Sequence, residues 1–256
     1  MKNRRLLYYI FILLCLTSNS FGQTSAQKPA KTNQPITLGF DAANNKDDFT
    51  TSIQLLMLMT ILTLLPSILM TMTSFTRLII VFHFLRQALG TQQMPPNQIM
   101  VGLAFFLTFF IMQPTFTQIN EKAIQPYLEG TIKQQVALKE AENAMRVFMF
   151  KNMNDDKELA LFIKYNQGEK PETRADVSTW SLIPAYIMHE LKIGFTMGFL
   201  IYIPFLVIDM VISSILMAMG MMMLPPMMIS LPFKLLLFVL VDGWYLLVES
   251  LITSFR

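Results

Sequence analysis

The sequence predicts an all-α membrane protein: two long kinked helical hairpins separated by a small helical insert. Three observations carry that prediction. Apolar residues make up 53% of the chain and charged residues 14%, with a mean hydropathy of +0.46; a water-soluble domain needs more charge to cover its surface. Apolar runs long enough to cross a bilayer recur along the chain. Between neighbouring runs stand two Pro-Pro pairs, Pro95-Pro96 and Pro225-Pro226, where the chain is expected to reverse.

The first element, residues 1–22, reads as a signal peptide. Lys2, Arg4 and Arg5 form a basic start, Leu6 to Leu16 an apolar core, and Ser20-Phe21-Gly22 offers small residues for cleavage. An uncleaved anchor helix is the alternative. The single cysteine, Cys15, falls inside that core, so neither an intrachain disulfide nor a multi-cysteine zinc site is available. Residues 23–51 are polar without periodicity and read as a flexible exported segment.

Residues 52–112 form the first hairpin. It comprises the run Ile53 to Met72 with Pro66 inside, a continuation from Phe75 to Leu89 carrying Arg77, His83 and Arg86, a turn through Pro95-Pro96, and a helix over Ile99 to Met112. Residues 113–181 are the insert, with helix formers at helical spacing as in Val136-Ala137-Leu138-Lys139-Glu140-Ala141-Glu142. Two or three amphipathic helices are expected, broken near Gly168 and Pro171. Residues 182–256 are the second hairpin. Its limbs are Ile183 to Gly220, interrupted by Pro184 and Pro204, and a single helix over Ile229 to Phe255. With an exported N-terminus, Arg77 and Arg86 fall on the cytoplasmic side as the positive-inside rule prefers, and the insert is periplasmic. The net charge of +3 is too small and scattered for nucleic-acid binding.

Ionisable residues inside apolar runs cost several kcal/mol unless paired or facing a cavity. In the second hairpin these are Asp209, Lys234, Asp242 and Glu249, with Glu190 and Lys192 at its entrance. Asp209 and Lys234 lie at comparable depth on opposite limbs. They are placed to pair, within one hairpin or between subunits; a proton relay is the other reading. An intramembrane aspartyl protease would need Asp209 and Asp242 at one depth, and their distances from the central prolines differ. His83 and His189 stand apart from other ligand types. No cofactor is implied.

Seven methionines occupy the twelve residues from Met217 to Met228. Methionine is adaptable and serves as core filler, but beside a Pro-Pro break the same softness suits a deformable seal in a pore. Thioethers also suit Cu(I), which keeps a copper or small-solute transporter open as a function.

Longer strings narrow the choice. The run from Phe75 through Gln93 to Pro95-Pro96-Asn97-Gln98 resembles a signature of the FliP family of flagellar export-gate proteins. Pro184-Ala185-Tyr186-Ile187-Met188-His189-Glu190-Leu191-Lys192 resembles a second. The third is Pro204-Phe205-Leu206-Val207-Ile208-Asp209-Met210, continuing through Gly220 and Pro225-Pro226 to Leu231-Pro232-Phe233-Lys234 and Val241-Asp242-Gly243-Trp244. The resemblance runs from about Phe49 to the C-terminus.

It implies a non-enzymatic, pore-forming subunit of a type III export gate in the bacterial inner membrane and flagellar basal body. Such subunits assemble as a homopentamer with FliQ and FliR into a helical cone, with FlhB and FlhA nearby. Unfolded flagellar subunits pass through its centre. By resemblance, Met221, Met222 and Met223 are the pore gasket, Asp209 and Lys234 an inter-subunit ion pair, and Glu190, Phe148 and Phe162 subunit contacts. The family usually has Ser where His189 stands, so that residue inherits no role. A homologous subunit of a non-flagellar secretion system is the near alternative. The resemblance also implies that the hairpins sit largely above the membrane plane, packed on protein.

Overall fold

The structure is a computed structural model that describes residues 46–91, 94–153, 155, 157–165, 171, 173–221 and 225–255. The expected signal peptide, Gly168, Met222 and Met223 lie outside the described residues. Every regular element among the described residues is helical. The chain divides into two units at Gln54–Leu55, and the described part of the first is only the opening of a helix.

Among the described residues nine α-helices follow in order: α1 Lys46–Met72, α2 Phe75–Leu89, α3 Asn97–Ile119, α4 Gln125–Leu128, α5 Gln134–Asn152, α6 Lys157–Tyr165, α7 Thr179–Ala218, α8 Pro226–Leu240 and α9 Gly243–Thr253. A π-helical turn, Asn120–Ile124, joins α3 to α4. Among the described residues three helical stretches suffice, by length and composition, to cross a membrane: Leu55–Met72, Asn97–Leu128 and Thr179–Ala218. The bent pair α8–α9 makes a fourth if it counts as one span.

Three boundaries differ from the sequence expectation. α1 starts at Lys46, inside the segment expected to be flexible. α3 does not stop at Met112 but passes Pro114 to Ile119. Buried Met112 and Thr115 pack it there, and packing outweighs the one hydrogen bond a proline removes. The last limb is two helices rather than one, bent by 64°. The break is at Asp242, which takes a left-handed conformation (φ 51°). Gly243 follows it under the Phe238 ring, where an added Cβ would lie 2.2 Å from a ring carbon.

Two cores hold the unit that begins at Leu55. The first centres on α2, whose Phe75, Leu78, Phe82, Leu85 and Leu89 repeat at helical spacing and bury against α3, α7, α8 and α9. At 15 residues and buried along most of its length, α2 is a core helix. Its approach to α7 depends on small residues: the Cβ of an alanine at Gly198 would lie 2.5 Å from the Phe84 ring, and one at Gly194 3.2 Å from Ile80. This glycine pair at i and i+4 lets two helices touch closely. The second core joins Met112, Phe148, Met149, Leu159, Leu182 and Tyr186 with Phe255 near the C-terminus. Outside these cores apolar surface is extensive: Leu55 to Met59, Leu62 and Leu64 of α1 are each more than half exposed.

Candidate functional site

The methionine turn is built by its glycine and prolines. α7 ends in a Schellman closure: Gly220, at φ 76°, donates its N–H to Met217 O, and Met221 donates to Leu216 O. Pro225 then sits in extended conformation before Pro226 opens α8, the first helical position, where a missing N–H costs nothing. Met217, Met219, Met221, Met227 and Met228 are all exposed on this turn, from 39% at Met221 to 75% at Met228. These five therefore do not serve as filler for the chain's own core. The four flanking methionines present thioethers outward beside Met221.

Behind the turn lies a polar junction. Lys234 Nζ donates to Asp209 Oδ2 at 2.5 Å and to Ala88 O, near the C-terminal end of α2, at 3.1 Å. Ser230 Oγ donates to Asp209 Oδ1 at 2.6 Å. The lysine head is buried, whereas Asp209 keeps 26% of its side chain exposed. Of the two pairings the residues allow, within one hairpin or between subunits, this single chain forms the first, because α7 and α8 fold back beside each other and set both charges at one depth.

A second ion pair, which the sequence reading did not propose, lies at the other end of α2. Arg77 Nε and Nη2 clasp both oxygens of Glu190, at 2.8 and 2.6 Å, and neither side chain is more than 3% exposed. Arg77 Nη1 reaches Ser254 O and Oγ, and its guanidinium lies 3.8 Å over the Phe255 ring. Arg77 is an interior anchor rather than a solvated basic residue. Glu190 is fully buried within its own chain. The spacing signal was weak, because 113 residues separate the partners.

The phenylalanines assigned to subunit contacts diverge. Phe148 is buried, stacked on Phe255 at 6.4 Å and edge-on to Tyr186 at 6.2 Å, so it belongs to the second core. Phe162 is half-buried at the margin of that core. α6 is tied to α7 by Lys192, whose Nζ donates to Glu158 Oε1 at 2.9 Å and Asp155 Oδ2 at 3.3 Å. Burial pushes the Glu158 carboxyl up, but the hydrogen bond and charge of Lys192 outweigh it and hold the group below its ordinary range. Asp155 is held low first by the backbone N–H of Lys157, with Lys192 adding to it. His189 is buried with neither ring nitrogen hydrogen-bonded, its Nδ1 3.7 Å from Glu158 Oε2. His83 is exposed, 3.3 Å from Arg86. Among the described residues no group of three or more His, Cys, Asp or Glu stands together as a metal site.

With this geometry in place, the chain can be compared with known proteins. The family model described as the FliP family matches residues 58–251, which takes in α2, the insert, both ion pairs and the methionine turn. The chain belongs to the FliP family. The flagellar biosynthetic protein FliP of Bacillus subtilis (strain 168) is 51% identical over 214 residues, 84% of this chain and 96% of that protein. FliP of Borreliella burgdorferi is 47% identical over 251 residues, covering 97% of this chain and 98% of its own length. FliP of Treponema pallidum (strain Nichols) is 47% identical over 232 residues, 90% of this chain and 86% of its own. The FliP match spans nearly the whole of α1 to α9, so the two ion pairs and the Schellman turn all lie within the family's region.

Proposed function

We propose that this chain is the core pore-forming subunit of a flagellar type III export gate. It passes unfolded flagellar subunits across the inner membrane of the basal body and closes the path at rest. The single observation that carries this reading is the exposed methionine turn. A member of the FliP family presents flexible thioethers outward from a hairpin tip whose two limbs are pinned immediately behind it. Thioethers of this kind fit an irregular or changing surface, and a constriction lined by apolar groups excludes ions and water. The exposed apolar faces of α1, α3 and α7 support a subunit that buries them on membrane or on partners. In this reading the partners are further copies of the chain in a pentameric cone with FliQ and FliR, with FlhB and FlhA adjacent and the insert on the periplasmic side.

The test is direct. Replacing Met221, Met222 and Met223 with alanine should raise resting ion conductance of the assembled gate while its subunit composition, read by native mass, stays the same. Unchanged conductance would count against a sealing role, and a mass corresponding to the free chain would count against the gate.

A further inference from the structure

Ser230 is fully buried behind the methionine turn, and its hydroxyl has two acceptors in reach. Asp209 Oδ1 lies 2.6 Å away on α7, and Met227 O lies 3.2 Å away on its own helix, α8. A hydroxyl carries one proton and donates to one of them at a time. The carboxylate, nearer and charged, is the stronger acceptor and holds it in the closed arrangement.

The geometry points to Ser230 as the positioning residue of the methionine turn. Donating to Asp209, it locks the two limbs in register; rotated to Met227 O, it lets them part without leaving a buried donor unpaired. Lys234 has the same provision. Its ammonium bridges Asp209 on α7 and Ala88 O on α2, so it keeps a partner when α7 moves away. Only Asp209 loses both partners on parting, and it is the one member of the junction that water already reaches. A buried donor left with no hydrogen bond is what makes such an opening most costly. Here the two buried donors, Ser230 and Lys234, each keep one acceptor. The charge that Lys234 would leave unneutralised is the barrier that holds the turn closed at rest. Asp209 and Lys234 carry the charge; Ser230 makes their junction reversible. This inference rests on the gate reading, because a reversible lock matters only in a hairpin that opens.

The test uses the full chain purified with its co-expressed partners, as Ser230→Ala, Ser230→Thr and, for comparison, Met221→Ala. Backbone amide exchange over residues 216–221 reports the lock, and resting conductance reports the seal. Ser230→Ala is expected to speed that exchange about tenfold, the loss of one hydrogen bond to a carboxylate, and to raise conductance without changing the native mass. Ser230→Thr, which keeps the hydroxyl, should restore both. Unaltered exchange in Ser230→Ala overturns the positioning role, as does a Ser230→Thr variant that behaves like alanine. Faster exchange in Ser230→Ala, with conductance unaltered there and in Met221→Ala, upholds the positioning role and sinks the gate reading instead.

Discussion

Two ion pairs tie the long helix α7 to α2 and α8, one at Glu190 and one at Asp209, and they are built for different tasks. At Glu190 the partner is an arginine, whose planar fork satisfies both carboxylate oxygens and whose remaining donor reaches Ser254. Phe255 closes over the top. At Asp209 the partner is a lysine, a point charge that also leans on a backbone carbonyl, and the carboxylate stays partly in water. Arginine gives a fixed bidentate geometry, whereas lysine gives a charge on a flexible stem. At about 1.5 Å per residue the two points are separated by most of a membrane's thickness along one helix. The contrast makes the Glu190 end an anchor and the Asp209 end, next to the methionines, the place where the hairpin can yield.

The largest effect is expected at Arg77. Arg77→Leu leaves Glu190 charged and unpaired in the interior, at a cost of about 3–5 kcal/mol. The expected result is loss of folded chain from detergent extracts, with partial recovery in Arg77→Leu/Glu190→Leu. If Arg77→Leu proves milder than the changes at the other pair, the anchor assignment is wrong. Lys234→Met should cost less, about 1–3 kcal/mol, because water and Ser230 still serve Asp209; thermal unfolding of the purified complex measures both variants on one scale. Asp209→Lys should block assembly, and the double swap with Lys234→Asp should restore part of it, as judged by co-purification.

Smaller effects sharpen the same picture. Gly198→Ala drives a methyl group into the Phe84 ring and should cost about 1–3 kcal/mol, loosening α2 from α7 between the two pairs. Glu158 has a carboxyl held below its ordinary range, so its contribution is present above the unfolded value and is lost as pH falls through the folded one. Protection of α6 amides, referred to intrinsic exchange rates, should therefore drop under acid conditions below pH ~4, and Lys192→Met should flatten that dependence. The least effect is expected at His189, whose ring nitrogens lack partners. His189→Leu should leave the melting temperature unchanged or raise it slightly, since a buried polar group without a hydrogen bond stabilises nothing; a clear fall would mean that Glu158 holds it.

Much of this architecture was legible in the residues. Apolar runs mark the spans, and Gly220 with Pro225-Pro226 marks the reversal, because these residues act through their own backbone. The Asp209–Lys234 pairing was readable because both sit at one depth on adjacent limbs. Ser230 was within reach of the same reasoning, four residues before Lys234 on one helix face. Asp242 hid the break in the last limb: no glycine stands at the left-handed position itself, and the apolar run continues on both sides. Arg77 misled for a related reason. A basic residue near an apolar run reads as solvated, and nothing local shows that Glu190, Ser254 and Phe255 gather round it.

By itself the sequence determined the helical class, the turns, the run of methionines and membership in the FliP family. The first three depend on composition, periodicity and local backbone preference, all of which act over a few residues; the family is carried by long strings that match it over residues 58–251. Only the tertiary structure decided that the arginine is an anchor, that Phe148 is core, and that the methionines beside Met221 face outward. Those outcomes depend on which helices lie side by side. A charge in an apolar setting takes the partner that the packing brings within about 3 Å, however far along the chain that partner stands.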